Sequence, residues 1–350
     1  MLLVIGPEPT PENERDGMVQ RVRAIDERFS GVSRKLISIS FRKNLKAKVV
    51  RRSATLEVEC LNSFVHFLRW MRYAWKADAI YVHSCLMALK VLPLYFVRAK
   101  IITDVHGVVP EETEMQGMRL RALVYQWVER IVVARSDALV LVTESMRDYF
   151  TNKYGGIRAH LFIIPILSEM SPPSLPIVRD QNLALYSGGL QRWQCIEETL
   201  KIARIVGERM RFLFVTGDPE ALKRMACECN LQDVEIRSAS WHEMPALYAQ
   251  ATYGFVLRED TIVNTVACPT KLVEYLESGV IPVVKEPNIG DFLRNGYRYV
   301  KSGDFTSGLL PSSEGLEKMR DLNRRVIDSM KRKADDEFLR LNEDFGLGAA

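Results

Sequence analysis

GFVLREDTIVNTVACPTKLVEYLESGVIPVVK, residues Gly254 to Lys285, is the stretch from which the fold can be read. An apolar run, Tyr253 to Leu257, stops abruptly at Arg258-Glu259-Asp260. A polar loop follows, then Pro269, a short helical pattern, Gly279 and a second apolar run from Val280 to Val284. The order is strand, loop, helix, strand. Pro269 suits the first helical position, where its missing N–H costs nothing, and Gly279 suits the left-handed residue after the last turn. Leu272, Val273 and Leu276 form the apolar stripe, while Lys271, Glu274 and Ser278 share another face at three- and four-residue spacing. In an open parallel sheet, ligands bind beyond the carboxyl ends of the strands. There the start of a helix offers unpaired N–H groups and positive dipole character. Arg258 adds a planar fork of donors and Lys271 a mobile charge. Glu274, one turn on, repels phosphate but accepts hydrogen bonds from sugar hydroxyls, so a diphosphate joined to a ribose fits the order of groups. The competing reading is that Lys271 and Glu274 form an ordinary exposed helical ion pair, worth little.

Working outward, the same alternation recurs along the chain. Leu2–Ile5, Lys35–Ser40, Ala79–His83, Ile101–Val105, Leu139–Thr143 and Leu161–Ile164 read as strands, with helical patterns at Val19–Phe29, Ser63–Trp75, Met118–Arg135 and Ser145–Lys153. A second strand series runs through Leu183–Ser187, Phe212–Thr216, Val234–Ile236, Tyr253–Leu257 and Val280–Val284. This alternation predicts α/β architecture with parallel sheets. Residues 168–178, rich in proline and serine, read as a linker between domains at 1–167 and 179–314, and 315–350 reads as a charged helical tail.

The run Leu-Arg258-Glu259-Asp…Asn264…Pro269-Thr270-Lys271-Leu-Val-Glu274-Tyr-Leu…Gly279-Val-Ile-Pro-Val-Val resembles the nucleotide-sugar site of glycosyltransferase family 4, and more narrowly bacterial capsule, O-antigen and exopolysaccharide enzymes. The resemblance implies a GT-B fold: two Rossmann-like domains facing a cleft, with the tail packing back on the first. It also implies transfer from a nucleoside-diphosphate sugar with retention of configuration, no bound metal and no separate cofactor. Arg258 and Lys271 then act on the diphosphate, and Glu259, Asn264, Thr270 and Glu274 contact the donor. One departure stands out. Many members carry two glutamates separated by seven residues; Glu274 fills the second place, and Val266 stands in the first.

Three further segments follow from the resemblance. Leu183-Ala-Leu-Tyr-Ser-Gly188-Gly189-Leu-Gln-Arg192-Trp is a strand and glycine turn before a helix beginning near Cys195, where glycines admit phosphate and Arg192 can clamp it; an ordinary strand-to-helix turn reads the same way. Asp104-Val-His106-Gly107-Val-Val-Pro110-Glu111-Glu112 is similar to the Asp-x-(His/Arg)-Gly-x-x-Pro-Glu-Glu loop of related polysaccharide enzymes. It makes Asp104 and His106 catalytic candidates and Glu111 an acceptor-side one, although a lone histidine at a strand end is often structural. His83 is a weaker candidate. Gly17, after the acids Glu8, Glu12, Glu14 and Asp16, belongs to an acceptor-side loop.

Composition bounds the rest. The chain has 350 residues, 47% hydrophobic and 26% charged, enough for two domains. Six scattered cysteines, none in a metal or redox spacing, suggest reduced thiols and a cytoplasmic setting. No eighteen-residue apolar run occurs. Nor is there a phosphate-binding Gly-x-x-x-x-Gly-Lys loop, a dinucleotide fingerprint, a nucleophile elbow or an Asp-x-Asp. Residues 1–170 carry 25 basic against 18 acidic side chains, and the remainder 23 against 26. Nine bases and no acid lie between Glu27 and Glu57. A solvated loop and strand edge explains this run as well as attraction to an anionic membrane does. Two helical patterns, 61–76 and 118–127, mix aromatic bulk with bases, as core helices and interfacial helices both can. No nucleic-acid module accompanies the run, so nucleic acid is not an expected partner. The expected partners are a nucleotide-sugar donor and a glycan or lipid-linked acceptor, with peripheral contact to anionic membrane. The alternative function is a non-catalytic nucleotide- or glycan-binding member of an assembly complex.

Overall fold

The computed structural model describes residues 1–10, 13, 16–167, 178–232 and 234–347. Residues 168–177 of the expected linker, and Glu12 and Glu14 of the acidic loop, lie outside the described residues. The chain divides into two compact units, Met1–Pro165 with Lys333–Ala350, and Ile166–Arg332.

The first unit is built on an eight-stranded sheet: β1 (Leu2–Ile5), β2 (Arg34–Ser40), β3 (Lys48–Arg52), β4 (Leu56–Asn62), β5 (Ala79–His83), β6 (Lys100–Val105), β7 (Ala138–Leu141) and β8 (His160–Ile163). The order is β3-β4-β2-β1-β5-β6-β7-β8. All pairs are parallel except β3 with β4. The central strands are buried on both faces, as the unbroken apolar runs Leu2–Ile5 and Ala138–Leu141 require. β3 and β4 went unread in the sequence. β4 interrupts its buried Leu56, Val58 and Leu61 with Glu57 and Glu59, which face Lys35 of β2.

The second unit carries a six-stranded parallel sheet: β9 (Asp180–Ser187), β10 (Arg211–Val215), β11 (Glu235–Arg237), β12 (Ala251–Phe255), β13 (Ile281–Val284) and β14 (Val300–Lys301), in the order β11-β10-β9-β12-β13-β14. Tyr186, Phe212, Phe214, Phe255 and Phe305 fill its core. Burying each such side chain is worth roughly 1.5–3 kcal/mol. Gly254 is required where β12 passes the ring of Tyr275, because a Cβ there would strike it. β12 turns outward two residues earlier than its apolar run suggests, so Val256, Leu257 and Arg258 are buried coil.

The expected helix after Pro269 spans Thr270–Glu277, with Pro269 as its N-cap in extended conformation (φ −68°, ψ 120°) rather than as its first residue. Gly279 takes φ +74° after the last turn. The polar loop before it contains an unforeseen short helix, Ile262–Thr265. The charged tail is one helix, Ser313–Phe345, divided between the units at Arg332 rather than beginning a separate segment at 315. Its earlier part anchors in the second unit, where Arg320 donates to the Gly279 carbonyl at 3.0 Å. Its later part packs in the first, with the Phe338 ring 5.1 Å from that of Phe29 and Asp335 paired with Arg28 at 2.7 Å.

Candidate functional site

In the second unit, three segments meet beyond the carboxyl ends of β9 and β12. β9 runs into Gly188, whose φ of +140° is a conformation that side chains disfavour. A Cβ on Gly188 would lie 3.0 Å from Lys271 Nζ, so the glycine lets the lysine fold back over the strand end. Lys271 Nζ sits 4.1 Å above the Tyr186 ring and donates to Gln194 Oε1 at 2.9 Å. Arg258 Nη1 donates to the Trp193 carbonyl at 3.0 Å, and its Nε is buried without a partner. Both side chains are buried, and neither forms an ion pair with a described residue. Burial, and then the nearby Arg258, push the Lys271 ammonium well below its usual range. Two basic side chains are therefore desolvated side by side, with the Glu274 carboxyl opposing the effect of burial on Lys271 only in part, an arrangement that an incoming anion would stabilise.

Glu274 is buried as well, which removes the exposed ion-pair reading of Lys271 and Glu274. Tyr248 donates its hydroxyl to Glu274 Oε2 at 2.7 Å, and Ser187 Oγ lies 2.9 Å from the Tyr248 hydroxyl and 3.2 Å from that of Tyr275. Burial raises the Glu274 carboxyl to about 7, against the lowering effects of the Tyr248 bond and Lys271. Tyr248 was missed in the sequence because it lies on a distant helix, Met244–Gln250, with no motif around it.

The other expected donor residues are placed differently. Asn264 spends its amide nitrogen on the Glu259 carbonyl (2.9 Å) and the Thr261 hydroxyl (3.1 Å), so it holds the loop together instead of presenting a donor. Glu259 points to solvent, 4.0 Å from Lys285. Arg192 is exposed at the start of the short turn Arg192–Gln194, and Gly189 packs against the Gln191 amide. Thr270 opens the helix and is half-buried. Val266 is buried and ends the short helix Ile262–Thr265.

In the first unit, the carboxyl ends of β5 and β6 bring His83, Asp104 and His106 together. Asp104 Oδ2 is 3.4 Å from His83 Nδ1 and 3.2 Å from His106 Nε2. Arg21, on the helix Gly17–Arg28, grips the same carboxylate from below. Its Nε and Nη2 donate at 3.0 and 3.1 Å, and its Nη1 donates to the Pro165 carbonyl at 3.0 Å. Burial opposes the Asp104 charge, but Arg21 and His106 outweigh it and hold the carboxyl well below its usual range. Burial drives His83 down to about 4, so it is neutral at physiological pH. His106 alone of the three is partly open to solvent.

The ligand atoms of these three residues lie within 4.8 Å of one another, close enough to hold a cation. Both Asp104 oxygens, however, already accept from a guanidinium, which supplies the positive charge there. Arg21 gave one signal in the sequence, a lone cation inside the stripe Val19, Val22 and Ile25.

The two acceptor-side candidates lie on the helices Val109–Met115 and Gly17–Arg28. Glu111 accepts from the Tyr149 hydroxyl and Lys153 Nζ, both at 2.6 Å. Gly17 is the exposed first residue of its helix, with nothing within 4 Å of an added Cβ.

Residues 6–166 match the family model described as a glycosyl transferase 4-like domain. No curated protein matches the sequence significantly. Among solved structures, sucrose-phosphate synthase from Thermosynechococcus elongatus is similar over 99% of both chains, at 13% identity and a TM-score of 0.75. HepE from Anabaena in complex with UDP-glucose is similar over 98% of this chain and 99% of that one, at 11% identity and a TM-score of 0.71. A trehalose-6-phosphate protein from E. coli bound with UDP-2-fluoro glucose is similar over 98% of each, at 12% and 0.62. Residues 6–166 are thus a glycosyl transferase 4-like domain, within a chain that has the GT-B fold of these structures over nearly its whole length.

Proposed function

We propose that the chain moves a sugar from a uridine diphosphate donor to a lipid-linked surface-glycan acceptor, with retention of configuration and without a bound metal. The observation that carries this reading is the pair of buried basic side chains Arg258 and Lys271 beyond β12, neither in an ion pair with a described residue. Uridine is favoured because HepE and the E. coli protein carry UDP-sugars in structures of the same fold.

The bond between the anomeric carbon and the diphosphate oxygen breaks as the acceptor oxygen bonds to that carbon on the same face. The acceptor proton passes to the departing phosphate oxygen. Negative charge grows on the diphosphate, and Arg258 and Lys271 neutralise it in a water-poor site, where such stabilisation is strongest. Glu274, held by Tyr248, offers its second oxygen to a donor hydroxyl. Of the histidine cluster, His106 is the member open enough to solvent to meet an acceptor hydroxyl. Asp104, saturated by Arg21, positions His106 and takes no proton itself.

The test is UDP release from UDP-sugars by the purified chain with and without a chelator, alongside UDP titration by calorimetry. Turnover that survives chelation, and UDP binding lost in Lys271→Met, are expected. Absence of binding by any nucleoside diphosphate would sink the reading. Binding without UDP release would mark a non-catalytic member.

A further inference from the structure

One face of the first unit carries an outer surface that ordinary packing does not explain. The helix Phe67–Lys76 buries Trp70, Met71 and Ala74. Its opposite side exposes Leu68 (65%) and Trp75 (64%) beside Arg72 and Lys76. Just before it, Phe64 is 71% exposed and stacks on exposed Phe41 at 5.3 Å. Leu45 and Val49 are exposed in the neighbouring basic segment.

Of the nine bases in that run, Arg28, Arg34 and Lys35 are consumed by Asp335, Asp26 and Glu57. Arg42, Lys43, Lys46, Lys48 and Arg51 are exposed, and none forms an ion pair with a described residue. A second helix, Arg119–Arg135, repeats the pattern: Leu120, Leu123, Val124 and Trp127, at one-face spacing, are all exposed among Arg119, Arg121 and Arg130.

We infer that this surface, led by Phe41–Arg51 and the Phe64–Lys76 segment, docks on an anionic lipid bilayer. Unpaired bases meet the headgroups, and aromatic and aliphatic side chains enter the interface. A nucleic-acid backbone would engage the bases but gain little from Phe64, Leu68 or Trp75. The uniform charge sign also matches lipid better than a mixed protein surface.

Topology gives the surface its purpose. Residue 41 follows the carboxyl end of β2 and residue 63 that of β4, and both strands run parallel to β5 and β6. The patch therefore begins on the sheet edge that carries His83, Asp104 and His106, so an acceptor anchored in the bilayer enters from that edge. This last step rests on the transfer reading above; the docking itself does not.

The test is flotation of the full chain with vesicles of phosphatidylcholine alone or with one quarter phosphatidylglycerol, at low and high salt. Flotation with the anionic vesicles at low salt is expected. Each basic residue near such a surface is worth about fivefold in partition, so Lys43→Ser/Lys46→Ser/Lys48→Ser should lose about 100-fold. Phe64→Ser/Leu68→Ser should lose about tenfold or more at every salt concentration. Wild type remaining at the bottom of the gradient, or the apolar double variant floating normally, overturns the inference. So does duplex DNA binding of comparable strength that Leu68→Ser leaves unchanged. UDP binding is read on the same samples. Flotation without it sinks the transfer reading alone, and UDP binding without flotation sinks the docking surface alone.

Discussion

Replacing Arg21 by Met removes three hydrogen bonds, two to Asp104 and one to the Pro165 carbonyl. It leaves a fully buried carboxylate facing two imidazoles, one of them itself neutralised by burial, and the Tyr81 hydroxyl. Breaking a buried pair by deleting one partner costs about 3–5 kcal/mol. For a unit of this size that is a fall in Tm of roughly 6–20 °C.

The pH dependence gives a sharper signature. In the wild type the Asp104 carboxyl lies well below its ordinary 3.8, so its contribution is complete above about pH 4 and is lost as pH falls through the depressed value. Without the guanidinium, burial dominates and raises that carboxyl. The variant is then penalised increasingly as pH rises above about 4. The stability gap should widen between pH 4 and pH 7, measured by urea unfolding at both. Arg21→Met/Asp104→Leu, which removes both charges, should recover at least half of the loss. A Tm drop under 2 °C, or a gap equal at both pH values, would refute the account of Asp104 as a charge held in place by Arg21.

Three further outcomes can be measured. Lys271→Met and Arg258→Met should each lower turnover about 100-fold, the scale of one lost charge-stabilising donor; each should also raise the Tm of the ligand-free protein, because the cost of burying a basic group outside an ion pair is gone. The Glu274 carboxyl is held at about 7 instead of 4.5, so the folded protein binds more protons than the unfolded chain between those values. This group's effect on stability therefore worsens by about 3 kcal/mol as pH rises from 4.5 to 7, and Glu274→Gln should flatten that part of the profile in denaturant titrations. Gly188→Ala combines a backbone strained at φ +140° with a methyl 3.0 Å from Lys271 Nζ, and should weaken UDP binding about tenfold by calorimetry.

The fold was legible wherever burial writes a simple pattern. The unbroken runs at Leu2–Ile5, Ala79–His83 and Ile281–Val284 are parallel strands covered on both faces, and their spacing made two sheets visible. β4 was illegible because it pairs its own glutamates with Lys35 across the sheet, so its charges looked like those of a loop. At the site, Gly188, Lys271 and Glu274 could be found because a turn, a helix start and a helical spacing are local. Arg21 and Tyr248 could not. Each acts on a residue 83 or 26 positions away, through a contact that only the tertiary fold creates. Asn264 shows the converse: a polar side chain inside a motif, spent on stabilising its own loop.

The segment from Gly188 to Gln194 has one more consequence. The Trp193 carbonyl and the Gln194 amide oxygen already lie on the two cations. A diphosphate must therefore compete with the protein's own oxygens, and its affinity is a difference between two sets of hydrogen bonds rather than the sum of one. On the transfer reading proposed above, the same competition works in reverse: the loop oxygens would return to Arg258 and Lys271 as the nucleotide leaves. Removing the competitor, as in Gln194→Ala, should tighten UDP binding and slow its departure.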